Sequence, residues 1–339
     1  MESMNTLLPH VFRQPKLWPV QSRGDRRVTW LELFFDLIFV AAVDQIGVTL
    51  VHHYEWSGLF HYSFLFILLW SAWNGHTLFS TRFDADDAAQ KLLTLVQCFI
   101  AAVMAANARE PLDSRDAAGF GAAYAAIRVV LVIQYLRVSR LPGVRRLASR
   151  FAAGFGLAAA LWLASSLVPL TIRYVLWGMA LIIDFVTPWF AEGPRLEHPP
   201  DASHFPERFG LFTIILMGEF VANVMRGIES QEYWSPIAAA TAFGSMAAGF
   251  AIWWGYFEFA KAASHRHLRS KMDTVRFQVW KHAHLPLCVG IGVLGAGLEL
   301  SIQIAGMGDL PMTALQIVFG STSIIVGMII AMKWTLGKL

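Results

Sequence analysis

The sequence predicts an all-α integral membrane protein of about ten transmembrane helices with both termini in the cytoplasm. Three observations carry that prediction. First, apolar residues make up 56% of 339, charged residues 15%, and mean hydropathy is +0.49. A soluble globular chain carries roughly 25% charged residues, so this one lacks the polar groups to cover a water-facing surface of its size. Second, apolar runs recur at about the 20 residues a helix needs to cross the hydrocarbon core. They are too long and continuous for barrel strands, the other structure that satisfies its backbone in lipid. Third, the basic residues alternate between the connecting loops.

Taken in order, residues 1–29 are expected to form a cytoplasmic arm, basic in its last part and without the apolar centre or cleavage site of a signal peptide. A single polytopic domain is expected over 30–339. The spans fall at 30–51, 59–79, 89–108, 117–138, 151–169, 172–190, 206–226, 235–261, 276–303 and 311–333. The fifth and sixth are separated by SSLVPLTIRY, which has one Pro and one Arg, and read either as two spans or as a reentrant pair. With the N-terminus inside, 22 of the 27 Lys and Arg residues fall in cytoplasmic segments. Four, Arg109, Arg115, Arg173 and Arg226, fall outside, and Arg128 lies mid-span. The positive-inside rule gives this alternation for ten spans. The net charge of +3 is therefore a topology signal and not a nucleic-acid footprint.

The first span, TWLELFFDLIFVAAVDQIGVTLV, is apolar except for Glu32, Asp36 and Asp44. Glu32 and Asp36 are four apart and share a helix face. Asp44 lies eight residues further on, roughly 80° round and about 12 Å deeper. The three acids are expected to face the bundle interior, because a charge near the bilayer centre is expensive unless paired, protonated or hydrated. Acids recur in later spans: Glu207 and Arg208 at an entrance, Glu219 deeper in the seventh, Asp184 in the sixth, Glu258 with Lys261 in the eighth, and Glu299 near the outer end of the ninth. Arg128 is a mid-span cation that requires a partner. Such groups are either structural ion pairs and caps or a functional site.

The run ELFFDLIFV at 32–40 resembles the opening motif of the low temperature requirement protein A (LtrA) family. TRFDADDAA at 81–89, HFPERFGLFTIILMGE at 204–219, WWGYF at 253–257 and AHLPLCVGIGVLGAGLE at 283–299 are similar to later motifs of that family, in order. The resemblance covers about residues 26–335. It implies a bacterial multi-span membrane protein, with Glu32, Asp36, Arg82, Asp84, Asp87, Glu207, Arg208, Glu219 and His284 as important positions. It supplies no mechanism, and Asp44 falls outside the family pattern.

The twelve-residue spacing from Glu32 to Asp44 equals that from Glu207 to Glu219. Each of those spans precedes a Trp-rich span and then one with a central Cys, Cys98 or Cys288. A parallel repeat of the first four and last four spans would place Asp44 and Glu219 at equivalent depths, an arrangement known in transporters.

Other patterns have plainer readings. Asp84, Asp86 and Asp87 form DxDD, which reads as acids at a helix N-terminus, as a metal or diphosphate site, or as a proton donor to a lipid-like substrate. His282 and His284 point about 200° apart on a helix and chelate poorly; His284 is expected to bond an acid across the bundle. The glycines of GIGVLGAGLEL read as close helix packing, or as a hinging helix. The two cysteines lack CxxC partners, and no HExxH, GxxxxGK[ST] or GxSxG occurs. No cofactor and no metal are expected.

The leading functional expectation is a transporter or ion-conducting protein of the cytoplasmic membrane. Glu32, Asp36, Asp44, Glu207, Glu219 and His284 would bind the ion or solute, with Arg82, Arg128 and Arg208 as charge partners. An intramembrane enzyme acting on a lipid or isoprenoid, through Asp84, Asp86, Asp87, Asp36 or Glu219 as acids, is the alternative. A non-catalytic sensor or assembly factor is the third. The expected partners are the bilayer and a small solute, ion or lipid-like ligand; the sequence sets no oligomeric state.

Overall fold

Ten helices account for nearly all the regular structure in the computed structural model, which describes residues 15–17, 28–85, 87–108, 116–190, 204–233, 235–263, 271–305 and 307–335. They are α1 Trp30–His52, α2 Trp56–Ser80, α3 Ala88–Ala106, α4 Asp116–Val138, α5 Arg145–Ser165, α6 Leu170–Phe190, α7 His204–Glu229, α8 Pro236–Ala263, α9 Lys271–Gln303 and α10 Met312–Thr335. Two short strands, β1 Lys16–Leu17 and β2 Phe83–Asp84, pair antiparallel with Lys16 opposite Asp84. Most of the expected cytoplasmic arm, and Asp86, lie outside the described residues.

Each expected span lies on one helix. The fifth and sixth are two full helices of 21 residues each, joined at Ser166–Pro169, and not a reentrant pair. Helix α5 starts six residues before the apolar run because an apolar run marks what enters lipid, whereas a helix continues through basic residues such as Arg145 and Arg146. Helix α9 likewise runs for 33 residues and begins ahead of its apolar part.

Nine helices among the described residues are long and apolar enough to cross a bilayer. The remaining one, α2, has the length at 25 residues but carries His61, Asn74 and His76 among its aromatic residues. Its Trp73, Phe79 and Thr77 are fully buried. Helix α2 is therefore less apolar because much of its surface faces protein and not lipid.

Local signals place the helix starts. Thr29 and Glu32 form a reciprocal capping box: the Thr29 amide donates to Glu32 Oε2 at 2.9 Å, and the Glu32 amide donates to Thr29 Oγ1 at 3.3 Å. Asp87 caps α3 by accepting from the Gln90 amide at 2.9 Å. Ser235 accepts from the Ala238 amide at 3.0 Å, with Pro236 at the first helical position. The tight turn between α4 and α5 uses Gly143, which has φ of 78°.

Contacts gather the chain into two units. The first comprises Met1–Ala42 and Leu68–Phe205, the second Val43–Ile67 and Pro206–Leu339. The first has an aromatic core in which Tyr135 stacks on Phe151 with centroids 4.9 Å apart, beside Phe79, Phe83 and Phe155. Within it, Arg128 finds the partner its mid-span position demands. Its Nη2 lies 3.0 Å from Asp184 Oδ2 and 2.5 Å from the Tyr124 hydroxyl, and its Nη1 donates to Ser71 O at 3.3 Å. Tyr124 donates to the same Asp184 oxygen at 2.8 Å. In the second unit the α9 glycines permit close approach: a Cβ at Gly292 would collide with the Tyr62 hydroxyl, and one at Gly297 with the Tyr54 hydroxyl. Tyr54 uses that approach to donate to Val293 O at 2.9 Å. The close-packing reading of these glycines matches the geometry.

Candidate functional site

A dense group of ionisable side chains among the described residues of the second unit is built around Arg226, in the last turn of α7. A helix C-terminus favours a cation there. Glu219, Asn223 and Arg226 stand at i, i+4 and i+7, so they line one face of α7. Asn223 Nδ2 donates to Glu219 Oε1 at 3.2 Å, and Arg226 Nη2 donates to Glu219 Oε1 and to Asn223 Oδ1, each at 2.7 Å. Two further acids converge from other helices. Asp44 Oδ1 of α1 lies 3.2 Å from Arg226 Nη1, and Glu299 Oε2 of α9 lies 3.2 Å from Arg226 Nε. Gln303 donates to the other Glu299 oxygen at 3.0 Å.

The guanidinium thus spends all three nitrogens on three carboxyl groups. Three acids against one permanent cation leave an excess of negative charge in a partly buried place. Glu219 and Asp44 also come within hydrogen-bonding reach of one another. A hydrogen bond between two carboxyl groups requires a proton on one of them. The burial is graded: the Arg226 and Asp44 side chains are 32% and 26% exposed, Glu219 and Glu299 only 12% and 8%. The guanidinium is therefore partly accessible, while Glu219 and Glu299 are more deeply buried.

Polar side chains continue from Glu219 along the interior of this unit. The Tyr62 hydroxyl is buried over Gly292, with no hydrogen-bond partner among the described residues, and it interacts electrostatically with Glu219 and Cys288. The Thr213 hydroxyl donates to Phe209 O at 2.8 Å and lies near the Cys288 thiol and the Tyr256 hydroxyl. The Tyr256 hydroxyl lies 3.0 Å from His284 Nε2, and His284 Nδ1 lies 2.8 Å from Trp280 O. A carbonyl only accepts, so Nδ1 carries the hydrogen and Nε2 accepts from Tyr256. From Glu299 to His284 is fifteen residues of α9, about 22 Å. The acid expected as the partner of His284 is replaced by a phenol, because α8 presents Tyr256 at that level.

The other expected residues fall elsewhere. In the first unit, Glu32 is in the capping box and its Oε1 lies 3.2 Å from His204 Nε2. Asp36 is fully buried and accepts from Trp73 Nε1 at 2.7 Å. The three acids of α1 are thus not one cluster: Glu32 and Asp36 belong to the first unit and Asp44 to the second. Glu32, Asp84 and Lys91 line a cavity of about 300 Å³ with His76 and Gln90, beside Trp30, Phe79 and Phe83. Asp87 receives Arg137 Nη2 at 2.7 Å besides capping α3. That pairing suits an ionised acceptor and not a proton donor, and so favours the capping reading of DxDD. Arg82 donates to Leu78 O at 2.9 Å and lies over the Phe151 ring. Arg128 is committed to Asp184. Arg208 is fully buried in the first turn of α7. It stands eleven residues, about 16 Å, below Glu219, so the cation at Glu219 is Arg226 and not Arg208. Glu207 is exposed and borders an apolar groove in the second unit. Among the described residues, no group of three or more His, Cys, Asp or Glu side chains is arranged to hold a metal ion.

Charge alternation places Arg226 in an outer loop; the structure places it in the last turn of α7. The signal was present in the spacing of Glu219, Asn223 and Arg226.

Apolar helices in this number, with ionisable groups turned inward, define a polytopic α-helical membrane protein. The sequence profile of the bacterial low temperature requirement A protein (LtrA) matches residues 27–338. The chain belongs to that family. It is also similar to an uncharacterized protein of Rhizobium meliloti (strain 1021), with 27% identity over 294 residues, 83% of this chain and 71% of that one. No solved structure matches.

Proposed function

We propose that the protein is a transporter or proton-conducting protein of the cytoplasmic membrane, with Glu219 as the group that takes up and releases the proton. The observation that carries this reading is the meeting of Asp44, Glu219 and Glu299 on the single guanidinium of Arg226. With all three acids ionised the group holds two surplus negative charges. Protonating Glu219 removes one and supplies the hydrogen for its contact with Asp44. Arg226 then stays with Asp44 and Glu299; when the proton leaves, Arg226 takes Glu219 back. Access differs on the two sides of Glu219. In this reading the part-exposed Arg226 and Asp44 give the access to water, while Tyr62, Cys288, Thr213, Tyr256 and His284 lead inward as hydroxyl, thiol and imidazole groups able to pass or orient a proton. In this reading the Arg226 end faces outward, as the alternation of basic residues predicts.

The test is flux in liposomes that enclose a pH-sensitive dye, with proton, Na⁺ and K⁺ gradients imposed in turn. Wild type is expected to carry protons, and Glu219→Gln to lose most of that flux while remaining folded. Asp36→Asn shows whether the buried acid of the first unit belongs to the same route. A flat trace from folded wild-type protein overturns conduction, and undiminished flux in Glu219→Gln removes that residue from the mechanism.

A further inference from the structure

Most buried side-chain polar atoms are hydrogen-bonded, yet Tyr62 is 1% exposed and its hydroxyl has no such partner among the described residues. Helix α9 fixes where that hydroxyl stands. It fills the position a Cβ at Gly292 would take, and Asn223 Nδ2 lies 2.9 Å from the position of a Cβ at Gly295. Residues 292 and 295 share a helix face and are about 4.5 Å apart along the axis. Asn223 Nδ2 donates to Glu219 Oε1, which also accepts from Arg226 Nη2. The phenol therefore stands beside the Glu219 carboxyl, with which it interacts electrostatically. Asp44 of α1 is within reach of the same carboxyl. Both described donors to Glu219 use Oε1, so Oε2 is available to a further ligand.

We propose that Asp44, Glu219 and the Tyr62 hydroxyl oxygen form a binding site for a sodium ion. Carboxylate and hydroxyl oxygens are hard donors, suited to hard cations and not to transition metals. Three acids around one guanidinium leave two surplus negative charges, and a monovalent cation offsets one of them. Calcium takes roughly six to eight oxygens. It would also meet twice the repulsion from a guanidinium whose nitrogens are 3.2 and 2.7 Å from the same two acids. Two carboxyl groups near enough to share a proton leave space for a small ion, which favours sodium over potassium. The Tyr62 oxygen is what a proton between the two acids would not require and a metal ion would. The 26% exposure of the Asp44 side chain gives the ion its way in. The site deepens the transport reading by naming a second ion for the same acids. It rests on that reading for the role of Glu219, but binding is measured without a gradient, so the two can fail separately.

The experiment uses the full chain in detergent micelles at fixed pH, with N-methylglucamine chloride holding the ionic strength constant. Radiolabelled sodium is expected to bind saturably and to be displaced by unlabelled sodium at least fivefold better than by potassium. Tyr62→Phe keeps the ring, is expected to fold as wild type and is expected to bind sodium about tenfold more weakly. Asp44→Asn and Glu219→Gln are expected to lose binding, whereas Asp309→Asn, at an exposed acid of the same unit, is expected to bind as wild type does. Displacement by N-methylglucamine as effective as by sodium overturns the site in favour of charge screening. Stronger displacement by calcium overturns the monovalent assignment, and binding unchanged in Tyr62→Phe overturns the site as drawn. Proton flux in liposomes without saturable sodium binding overturns this site and leaves the proton reading standing; sodium binding without proton flux does the reverse.

Discussion

Asp44 and Glu219 stand on different helices and reach the same guanidinium, that of Arg226, at 3.2 and 2.7 Å. Each also lies within reach of the other, so the pair is bridged by a cation and close enough for a proton to sit between them. Two acids that compete for one cation have more than one stable arrangement of charge. A proton on either acid selects among them. The relationship gives the α1 carboxylate a role that its apolar surroundings alone do not explain.

Removing Arg226 leaves three carboxyl groups around an empty centre. Arg226→Ala is expected to destabilise the protein, but by less than the 3–5 kcal/mol typical of a fully buried pair, because the side chain is a third exposed. Arg226→Lys keeps the charge and loses the planar fork that serves three acceptors at once, so it is expected to restore stability only in part and to leave flux low. Thermal unfolding in detergent and dye flux in liposomes, read on the same preparations, check both expectations. Full flux in Arg226→Ala would remove the cluster from the mechanism.

The Arg128–Asp184 pair makes the opposite prediction. Both side chains are about 2% exposed, and Arg128 also donates to the Tyr124 hydroxyl and to Ser71 O. Truncating one partner leaves a buried charge, so Arg128→Met or Asp184→Asn is expected to cost about 3–5 kcal/mol. The double replacement Arg128→Met/Asp184→Leu is expected to regain much of that. Unfolding midpoints test the non-additivity. If Asp184→Asn folds normally and abolishes flux, the pair is part of the conducting route and not a fastening.

Much of this was legible from sequence, for physical reasons that differ by region. Lipid demands long apolar runs, so all ten helices could be placed from composition. The ends were less legible: α5 continues into basic residues that apolarity does not mark. Glu32 was visible as a carboxylate in an apolar run, yet the Thr-x-x-Glu spacing from Thr29 already described it as a cap. The three acids of α1 share a sector by helical geometry, but periodicity gives a direction and not a partner, and their partners belong to different units. Arg226 lay at the edge of a span, where the positive-inside count reads a cation as loop. Its membership in a cluster depended on α1 and α9 arriving beside α7, which no local pattern encodes.

The capping box at the start of α1 is directly testable. Thr29→Ala removes an N-cap and is expected to cost about 1 kcal/mol, whereas Thr29→Ser is expected to cost little. Glu32→Gln retains a side chain that can close the box while weakening the contact to His204. If Glu32→Gln is as damaging as Glu32→Ala, the carboxylate charge toward His204 matters more than the cap. Unfolding midpoints of the four variants separate the two contributions.

Tyr62 of α2 packs over Gly292 of α9. The Tyr62 hydroxyl is buried without a hydrogen-bond partner among the described residues and occupies the space a Cβ at 292 would take. Gly292→Ala is therefore expected to force α2 and α9 apart, at about 1–3 kcal/mol, the usual penalty of overpacking. Tyr62→Phe deletes an unsatisfied polar atom, and such a deletion is expected to be neutral or stabilising. It also relieves the collision, so Tyr62→Phe/Gly292→Ala is expected to be more stable than Gly292→Ala alone. The same single change interrupts the polar column between Glu219 and Cys288. Tyr62→Phe is thus expected to unfold at the wild-type temperature or above it while its proton flux falls severalfold. That combination separates a conducting hydroxyl from a packing one: a loss of flux matched by a loss of stability would indicate packing alone, and wild-type flux would place the route elsewhere.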